Sequence, residues 1–312
     1  MHPSFHDSIA FRLSHSTNQF ELVRRRELSW SISDAGTLYG AILVERFRTY
    51  GSKLLDLSDH QARLLLGANE LGIDVSLIPT NIEEIAQQLL DLNEDLIQRC
   101  SDVGLVFLLS PGEQSPIKEL GKRPTCMLHL NQLPFAKLEK WYKHGIDLLI
   151  GTHHAVPSVC WPNQIKSRSR LPYFLSDALA AEKQVDSLAI LTTMCGVISD
   201  TSVANILIVD NKGEFSSPRK EDILVGCTLK AVERILNNRN IPIHFRDIDP
   251  KELACAREVL LTGSTGGIWF ARSVDGIAIG TNEDRPKLRL LTELWKEHVG
   301  IDFVSQAASY HL

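Results

Sequence analysis

One stretch limits what this chain can fold into more than any other. It opens with Ile165-Lys166-Ser167-Arg168-Ser169-Arg170-Leu171-Pro172-Tyr173-Phe174-Leu175 and closes with Val197-Ile198-Ser199-Asp200-Thr201-Ser202-Val203-Ala204-Asn205-Ile206. Lys166 follows an extended, proline-containing segment and stands just before a helix-like run. The spacing predicts a helix over 169–181 that buries Leu171, Phe174, Leu175, Ala178 and Leu179, the one-face spacing of a 3.6-residue period. Strands are predicted over 188–193 and 206–209, with Asp200 among small polar residues between them. Lys166 and Asp200 are 34 positions apart (200 − 166).

With 312 residues, 44% of them hydrophobic, the chain has material for one large domain or two ordinary ones. Net charge is −5. No basic stripe points to nucleic acid, and no basic amphipathic segment points to a membrane surface. No apolar run approaches the roughly 18 residues that a membrane span needs. The first fifteen residues have no apolar core of the secretory type, so no signal segment is expected. Six cysteines at 100, 126, 160, 195, 227 and 255 form no C-x-x-C pair, which reads as reduced thiols in a cytoplasmic protein. His153-His154 suits neither a helix face nor a strand face, and no metal site is expected.

The remaining pattern divides into an N-terminal part, 1–136, and a C-terminal part, 137–312, with the boundary between Leu133-Pro134-Phe135 and Gly145. In the first part, a strand pair is expected somewhere in 20–32 and a glycine turn at 34–40. A strand follows over 41–50, with Leu43, Glu45, Phe47 and Thr49 on one side and Val44, Arg46, Arg48 and Tyr50 on the other. Ser58 or Asp59 caps a helix whose stripe is Leu64, Leu65, Ala68 and Leu71, with Arg63 beside it. A second helix is predicted over 81–99, then strands over 103–109 and 126–130. Residues 141–144 read as connector. In the second part, strands are expected over 146–150, 241–247 and 259–262, and helices over 228–237 and 249–256. Asn211-Lys212-Gly213 reads as a hairpin turn.

Two places suit an anion. Gly226-Cys227-Thr228 opens a predicted helix, whose first N–H groups lack partners and carry the positive end of the dipole. Thr262-Gly263-Ser264-Thr265-Gly266-Gly267 follows a strand and is rich in hydroxyls and backbone donors. A lysine able to form a Schiff base and a carboxylate able to face a ring nitrogen complete what pyridoxal phosphate chemistry requires.

At these residues the chain resembles the class IV aminotransferases, the pyridoxal 5'-phosphate enzymes of fold type IV. That family includes branched-chain and D-amino-acid aminotransferases and aminodeoxychorismate lyase. The resemblance runs from about Asp34 to about Gly280, and the Lys-x-Arg-Ser-Arg run is similar to that of planctomycete-type members. It implies an α+β fold, with a small N-terminal α/β domain and a larger, β-barrel-like cofactor-binding domain. It also implies a homodimer. Lys166 matches the Schiff-base lysine. Arg63 stands in His60-Gln61-Ala62-Arg63-Leu64, like the family's His-x-x-Arg-Leu, whose arginine binds phosphate. Cys227 and Thr228 match the phosphate turn, and Ser264 matches a phosphate-binding threonine. Asp200 matches the acid that faces the pyridine nitrogen, five positions before Asn205, but the family usually has glutamate there.

The substrate signatures do not transfer. Leu109-Ser110-Pro111-Gly112-Glu113 lacks the carboxylate-trapping arginine of the D-amino-acid enzymes, and Leu171 stands where branched-chain enzymes have a tyrosine. Arg168 and Arg170 are candidates for a substrate carboxylate, weighed against ordinary helix-surface ion pairs. Trp269 and Phe270 are expected to narrow the pocket. The leading expectation is amino transfer between an amino acid, of branched-chain or D-amino-acid type, and a 2-oxo acid. The alternatives are a lyase using the same cofactor, or a degenerate cofactor binder.

Overall fold

The computed structural model describes residues 4–14, 16–17, 19–78, 81–113, 122–280 and 284–310. The chain forms two compact units, residues 1–133 with 164–169, and residues 134–163 with 170–312. The short stretch carrying Lys166 therefore belongs to the first unit.

In the first unit, β1 (Ile9–Ser14) and β2 (Gln19–Arg24) form a hairpin. This pair lies earlier than the 20–32 expected. Helix α1 (Ala35–Tyr39) replaces the expected turn, because the Asp34 carboxylate accepts the Gly36 N–H at 2.6 Å and caps a short helix. Strand β3 (Leu43–Tyr50) turns through Gly51 and Ser52 into β4 (Lys53–Leu54). Helix α2 (Leu57–Glu70) starts one residue before the expected cap, after Asp56. The predicted helix over 81–99 is two, α3 (Ile82–Asp91) and α4 (Glu94–Cys100). The break has a cause at Asn93. Its buried side chain accepts the Ile9 N–H and donates to Leu89, so it ties the helix pair to β1 instead of continuing a helix. Strands β5 (Gly104–Ser110) and β6 (Thr125–Asn131) complete an antiparallel sheet of order β2-β1-β6-β5-β3-β4.

One face of this sheet is the apolar core. Phe11, Leu43, Phe47, Leu105, Phe107 and Leu128 pack there with Leu64 and Ala68 of α2, Ile82 and Leu89 of α3, and Leu96 of α4. Glu45 sits on that same face, between Leu43 and Phe47, and is 1% exposed. It ties β3 to α2. Its carboxylate accepts from Arg63 Nε and Nη2, both at 2.7 Å, and pairs with His60 Nδ1 at 2.6 Å. A two-pronged arginine contact is the strongest way to satisfy a buried carboxylate.

In the second unit, α5 (Phe135–His144) occupies the stretch expected as connector. Phe135, Leu138 and Trp141 are its buried stripe, masked in the sequence by Lys137, Glu139, Lys140 and Lys143. The next elements are β7 (Ile146–His154), α6 (Leu171–Lys183), β8 (Leu188–Thr192), β9 (Ile198–Thr201), β10 (Asn205–Val209) and β11 (Phe215–Ser217). Then come α7 (Cys227–Asn237), β12 (Ile243–Phe245), shorter than expected, α8 (Pro250–Cys255) and β13 (Glu258–Gly263). The unit ends with β14 (Gly267–Val274), β15 (Ile277–Ala278), α9 (Pro286–Val299) and α10 (Phe303–Ser309). The sheet order is β12-β11-β10-β13-β14-β7-β8-β9, with β15 on β14. Strands β9 and β10 lie five strand spacings apart in that order, about 24 Å if the sheet were flat. Only residues 202–204 join them, a reach of about 14 Å. The sheet must therefore curl on itself, as a barrel-like domain requires.

Helix α6 departs from expectation in which face it buries. It lies against β7 and β8 through Ser176 and Ala180, 2% and 3% exposed, and Gly151 of β7 leaves room for Ser176. Leu171, Phe174, Leu175, Ala178 and Leu179 face outward, with Leu171 at 63% and Phe174 at 69% exposed. The periodicity was that of an apolar face, but small residues permit the closer approach, so the small-residue edge packs inward. Trp269 likewise is core. It is 1% exposed and stacks on Trp141 with ring centroids 5.1 Å apart.

The Glu45 tie has a pH signature. Burial pushes the Glu45 carboxyl up, but Arg63 and His60 outweigh it and hold it at about 2, below the ordinary 4.5. Its contribution to stability is therefore complete above about pH 4.5 and is lost as the pH falls toward 2. Glu45→Gln leaves the Arg63 charge buried without a counter-ion, a loss of about 3–5 kcal/mol. Urea unfolding should show that gap at pH 7 and a narrower one at pH 3.

Candidate functional site

The six residues expected to carry the chemistry fall in both units. Arg63 and Lys166 lie in the first, and Asp200, Cys227, Thr228 and Ser264 in the second.

In the first unit, Lys166 lies on a strand-like segment laid along the free edge of β3. Val44 donates its N–H to the Lys166 carbonyl at 2.9 Å, Arg168 donates to the Ile42 carbonyl at 2.8 Å, and Leu43 pairs with Ser167. This antiparallel register sets Lys166 opposite Val44. Side chains alternate across a strand, so Ile165 points to the apolar core, where it packs, and Lys166 points to the other face. Arg63 is 5% exposed, its guanidinium plane set by Glu45. Two of its five N–H donors are used in that contact, which fixes the plane of the guanidinium.

In the second unit, Asp200 is 5% exposed on β9. Its Oδ1 accepts a 2.6 Å hydrogen bond from the Tyr173 hydroxyl of α6. Burial and then the Asp200 charge push the Tyr173 phenol well above its ordinary value, so it stays protonated and donates. Arg170 lies over the Tyr173 ring, 4.4 Å from its centroid, and also donates to the Ser202 carbonyl. Tyr173 is the partner of Asp200 that sequence reasoning missed. Within a helix-like run it reads as one more bulky side chain, and only the fold shows its hydroxyl reaching a strand 27 positions away. Arg170, considered for a substrate carboxylate, is instead placed against Tyr173 and Ser202.

Asn205 joins the other parts. Its backbone pairs with Thr262 on β13. Its side-chain oxygen accepts the Gly226 N–H at 2.8 Å, and its amide donates to the Leu224 carbonyl at 2.8 Å. A Cβ on Gly226 would come within 2.5 Å of that oxygen, so only glycine fits there. The start of α7 is thereby fastened beside the end of β13, which leads into the turn at Ser264. Both anion candidates hang from one asparagine, five residues after Asp200.

The donors at this place are unspent. Helix α7 has no side-chain cap. The N–H groups of Cys227 and Thr228, the Thr228 hydroxyl and the Ser264 hydroxyl have no protein partner among the described residues. The buried Thr262 hydroxyl has none either. The expected glycine-rich loop is in fact a tight hairpin turn, with Gly263 paired to Gly267 across residues 264–266. Trp269 packs beneath it, close to Gly263 and Gly266. It props the turn from the core side.

Known proteins resemble this chain over most of its length. The Amino-transferase class IV family model matches residues 42–274. The chain is 24% identical to a D-alanine aminotransferase of Bacillus licheniformis over 266 residues, covering 85% of this chain and 90% of the relative. Its fold is similar to that of a branched-chain aminotransferase of Thermoproteus uzoniensis solved with norvaline. The TM-score is 0.77 at 20% identity, over 94% of this chain and 95% of that one. It is also similar to a putative 4-amino-4-deoxychorismate lyase of Legionella pneumophila. There the TM-score is 0.72 at 24% identity, over 87% of this chain and 96% of that one. The match spans most of the chain, and the chain belongs to the class IV aminotransferases, a pyridoxal phosphate-dependent family.

Proposed function

We propose that this chain transfers an amino group between an amino acid and a 2-oxo acid, with pyridoxal 5'-phosphate held mainly by residues 137–312. The observation that carries the reading is the set of unspent donors fastened by Asn205 five residues after a buried carboxylate. The N–H groups of Cys227 and Thr228 and the hydroxyls of Thr228 and Ser264 suit a phosphate at the head of an 11-residue helix. Arg63, its plane set by Glu45, is suited by its chemistry to a phosphate.

When bound, pyridoxal phosphate supplies a ring that accepts electrons from the substrate Cα. The rest falls to this chain's own groups. Lys166 would hold the cofactor covalently through its Nζ. Its amine, when free, would take the proton from the substrate Cα and deliver it to the cofactor carbon on the other side of the amino nitrogen. Asp200 would face the ring nitrogen and hold a proton there. Aspartate is one methylene shorter than the usual glutamate, and Tyr173 compensates by fixing one carboxylate oxygen so that the other keeps a single direction.

The second reading is a lyase on the same cofactor, favoured by the likeness to the Legionella protein. A single half-reaction separates the two, since a transaminase leaves the cofactor carrying the amino group and a lyase regenerates the lysine-bound form. For the amino acid we favour the branched-chain or D-amino-acid type of the relatives. We also propose a homodimer, supported by the outward stripe of α6, whose five apolar side chains are exposed. Six free cysteines support a cytoplasmic location, and no helix among the described residues is long and apolar enough to cross a membrane.

Four substitutions test these readings. Lys166→Ala should abolish covalent capture of the cofactor by borohydride while the fold persists; label elsewhere on the chain refutes the assignment. Asp200→Asn should slow turnover by about a hundredfold with little change in cofactor affinity, the scale of a lost proton-holding group. Tyr173→Phe should slow it by about tenfold, the scale of one hydrogen bond to a charged group, and full activity in both removes them from the ring-nitrogen role. Phe174→Glu should convert a dimer to a monomer in sedimentation velocity, and a monomeric unmodified chain would contradict the proposed assembly.

A further inference from the structure

The turn that carries Ser264 is held by a helix that the chemistry does not otherwise use. Tyr142, in the last turn of α5, donates its hydroxyl to the Gly266 carbonyl at 2.6 Å, across 124 positions of sequence. Its ring is set by α10. Phe303 meets it edge-on, with ring centroids 5.2 Å apart and planes at 86°. Phe303 is 1% exposed, so the ring that orients Tyr142 is itself fixed in the core. One residue earlier, Trp141 stacks on Trp269 and fastens the same helix to β14. Sequence patterning read residues 141–144 as connector, and so passed over this contact.

The shape of the turn gives the contact its importance. A Cβ on Gly266 would come within 2.9 Å of the Trp269 ring and 3.3 Å of Leu138 of α5, so the backbone lies directly against both. Gly267, which closes the turn, has φ +66°, a left-handed conformation that suits glycine. Two adjacent glycines allow this close approach, but they leave the peptide between them free to rotate. Its orientation matters to an anion. A peptide that presents its carbonyl repels the anion, and one that presents its N–H attracts it. Tyr142 settles the choice for the peptide joining Gly266 and Gly267. The carbonyl is engaged by the phenol, and in a planar trans peptide the Gly267 N–H points the opposite way.

We propose that Tyr142 is a positioning residue of the phosphate site. By holding the Gly266 carbonyl against α5, it keeps residues 264–266 in the one conformation that presents the Ser264 hydroxyl to the cofactor phosphate. It does for this turn what Asn205 does for the start of α7. The proposal rests on the reading of the 264–266 turn as part of that phosphate site. Tyr142 acts through the turn and has no part in the chemistry at the amine or the ring.

The test titrates the cofactor-free protein with two aldehydes, pyridoxal 5'-phosphate and pyridoxal, which lacks the phosphate. Tyr142→Phe removes the hydroxyl and keeps the ring that packs on Phe303. It should weaken pyridoxal phosphate about fivefold, the scale of one hydrogen bond, and pyridoxal less than twofold. The phosphorus NMR resonance of the bound cofactor should move as well. Unchanged affinity for pyridoxal phosphate with an unmoved resonance overturns the proposal. An equal loss for both aldehydes also overturns it, because a merely structural role would weaken the two alike. If Tyr142→Phe fails to fold, Phe303→Leu, which loosens the Tyr142 ring and keeps its hydroxyl, is read by the same ratio. Ser264→Ala is measured in parallel. If it weakens pyridoxal phosphate and Tyr142→Phe does not, the positioning role fails and the phosphate site stands. If neither weakens it, the assignment of this turn to the phosphate fails with it.

Discussion

The side chain of Asn205 is the interaction on which the second unit's chemistry depends. A single amide holds the Gly226 N–H and the Leu224 carbonyl while its own backbone is locked to Thr262. A helix start and a hairpin turn, distant in sequence, are thus fixed against one strand. The same strand begins four residues after the end of the Asp200 strand, so acid and anion donors share one rigid support. This is preorganisation in a specific sense, since the donors are aimed before anything binds and cost little reordering when it does.

The first unit answers with a different constraint. The Lys166 segment is a guest strand on β3, held by two backbone hydrogen bonds. That pairing decides which way the lysine points. On one side of the sheet Ile165 and Glu45 look into the core, and Glu45 sets Arg63. On the other side Lys166 shares a face with Arg46 and His129. A slip of one residue in this register would bury the lysine and expose Ile165, so the chemistry is protected by the same hydrophobic cost that holds the sheet.

Much of this was legible in advance, and the failures have identifiable causes. The alternation in residues 43–50 placed Glu45 and Arg46 on opposite faces correctly, since period two is insensitive to tertiary detail. The helix after Arg170 was legible as a helix, but not which side of it packs inward. Periodicity reports an apolar face and is silent on what covers it. The helix pair at Asn93 and the helix at Trp141 were lost to a side-chain bond 84 residues away and to a charge-rich exterior. The Gly226 turn was legible because helix starts obey local rules. The partnership of Tyr173 with Asp200, and of Glu45 with Arg63, was not. Each joins elements whose approach only the folded sheet determines.

The central claim is that this chain carries out an amino-transfer cycle on pyridoxal phosphate. The visible absorption spectrum of the purified protein, taken with the cofactor and again after adding mixed L- and D-amino acids, tests it most directly. The account predicts a band of lysine-bound cofactor that converts to the amine form when an amino acid is supplied and returns when a 2-oxo acid follows. A band that no amino acid changes, or no band at all, would contradict it.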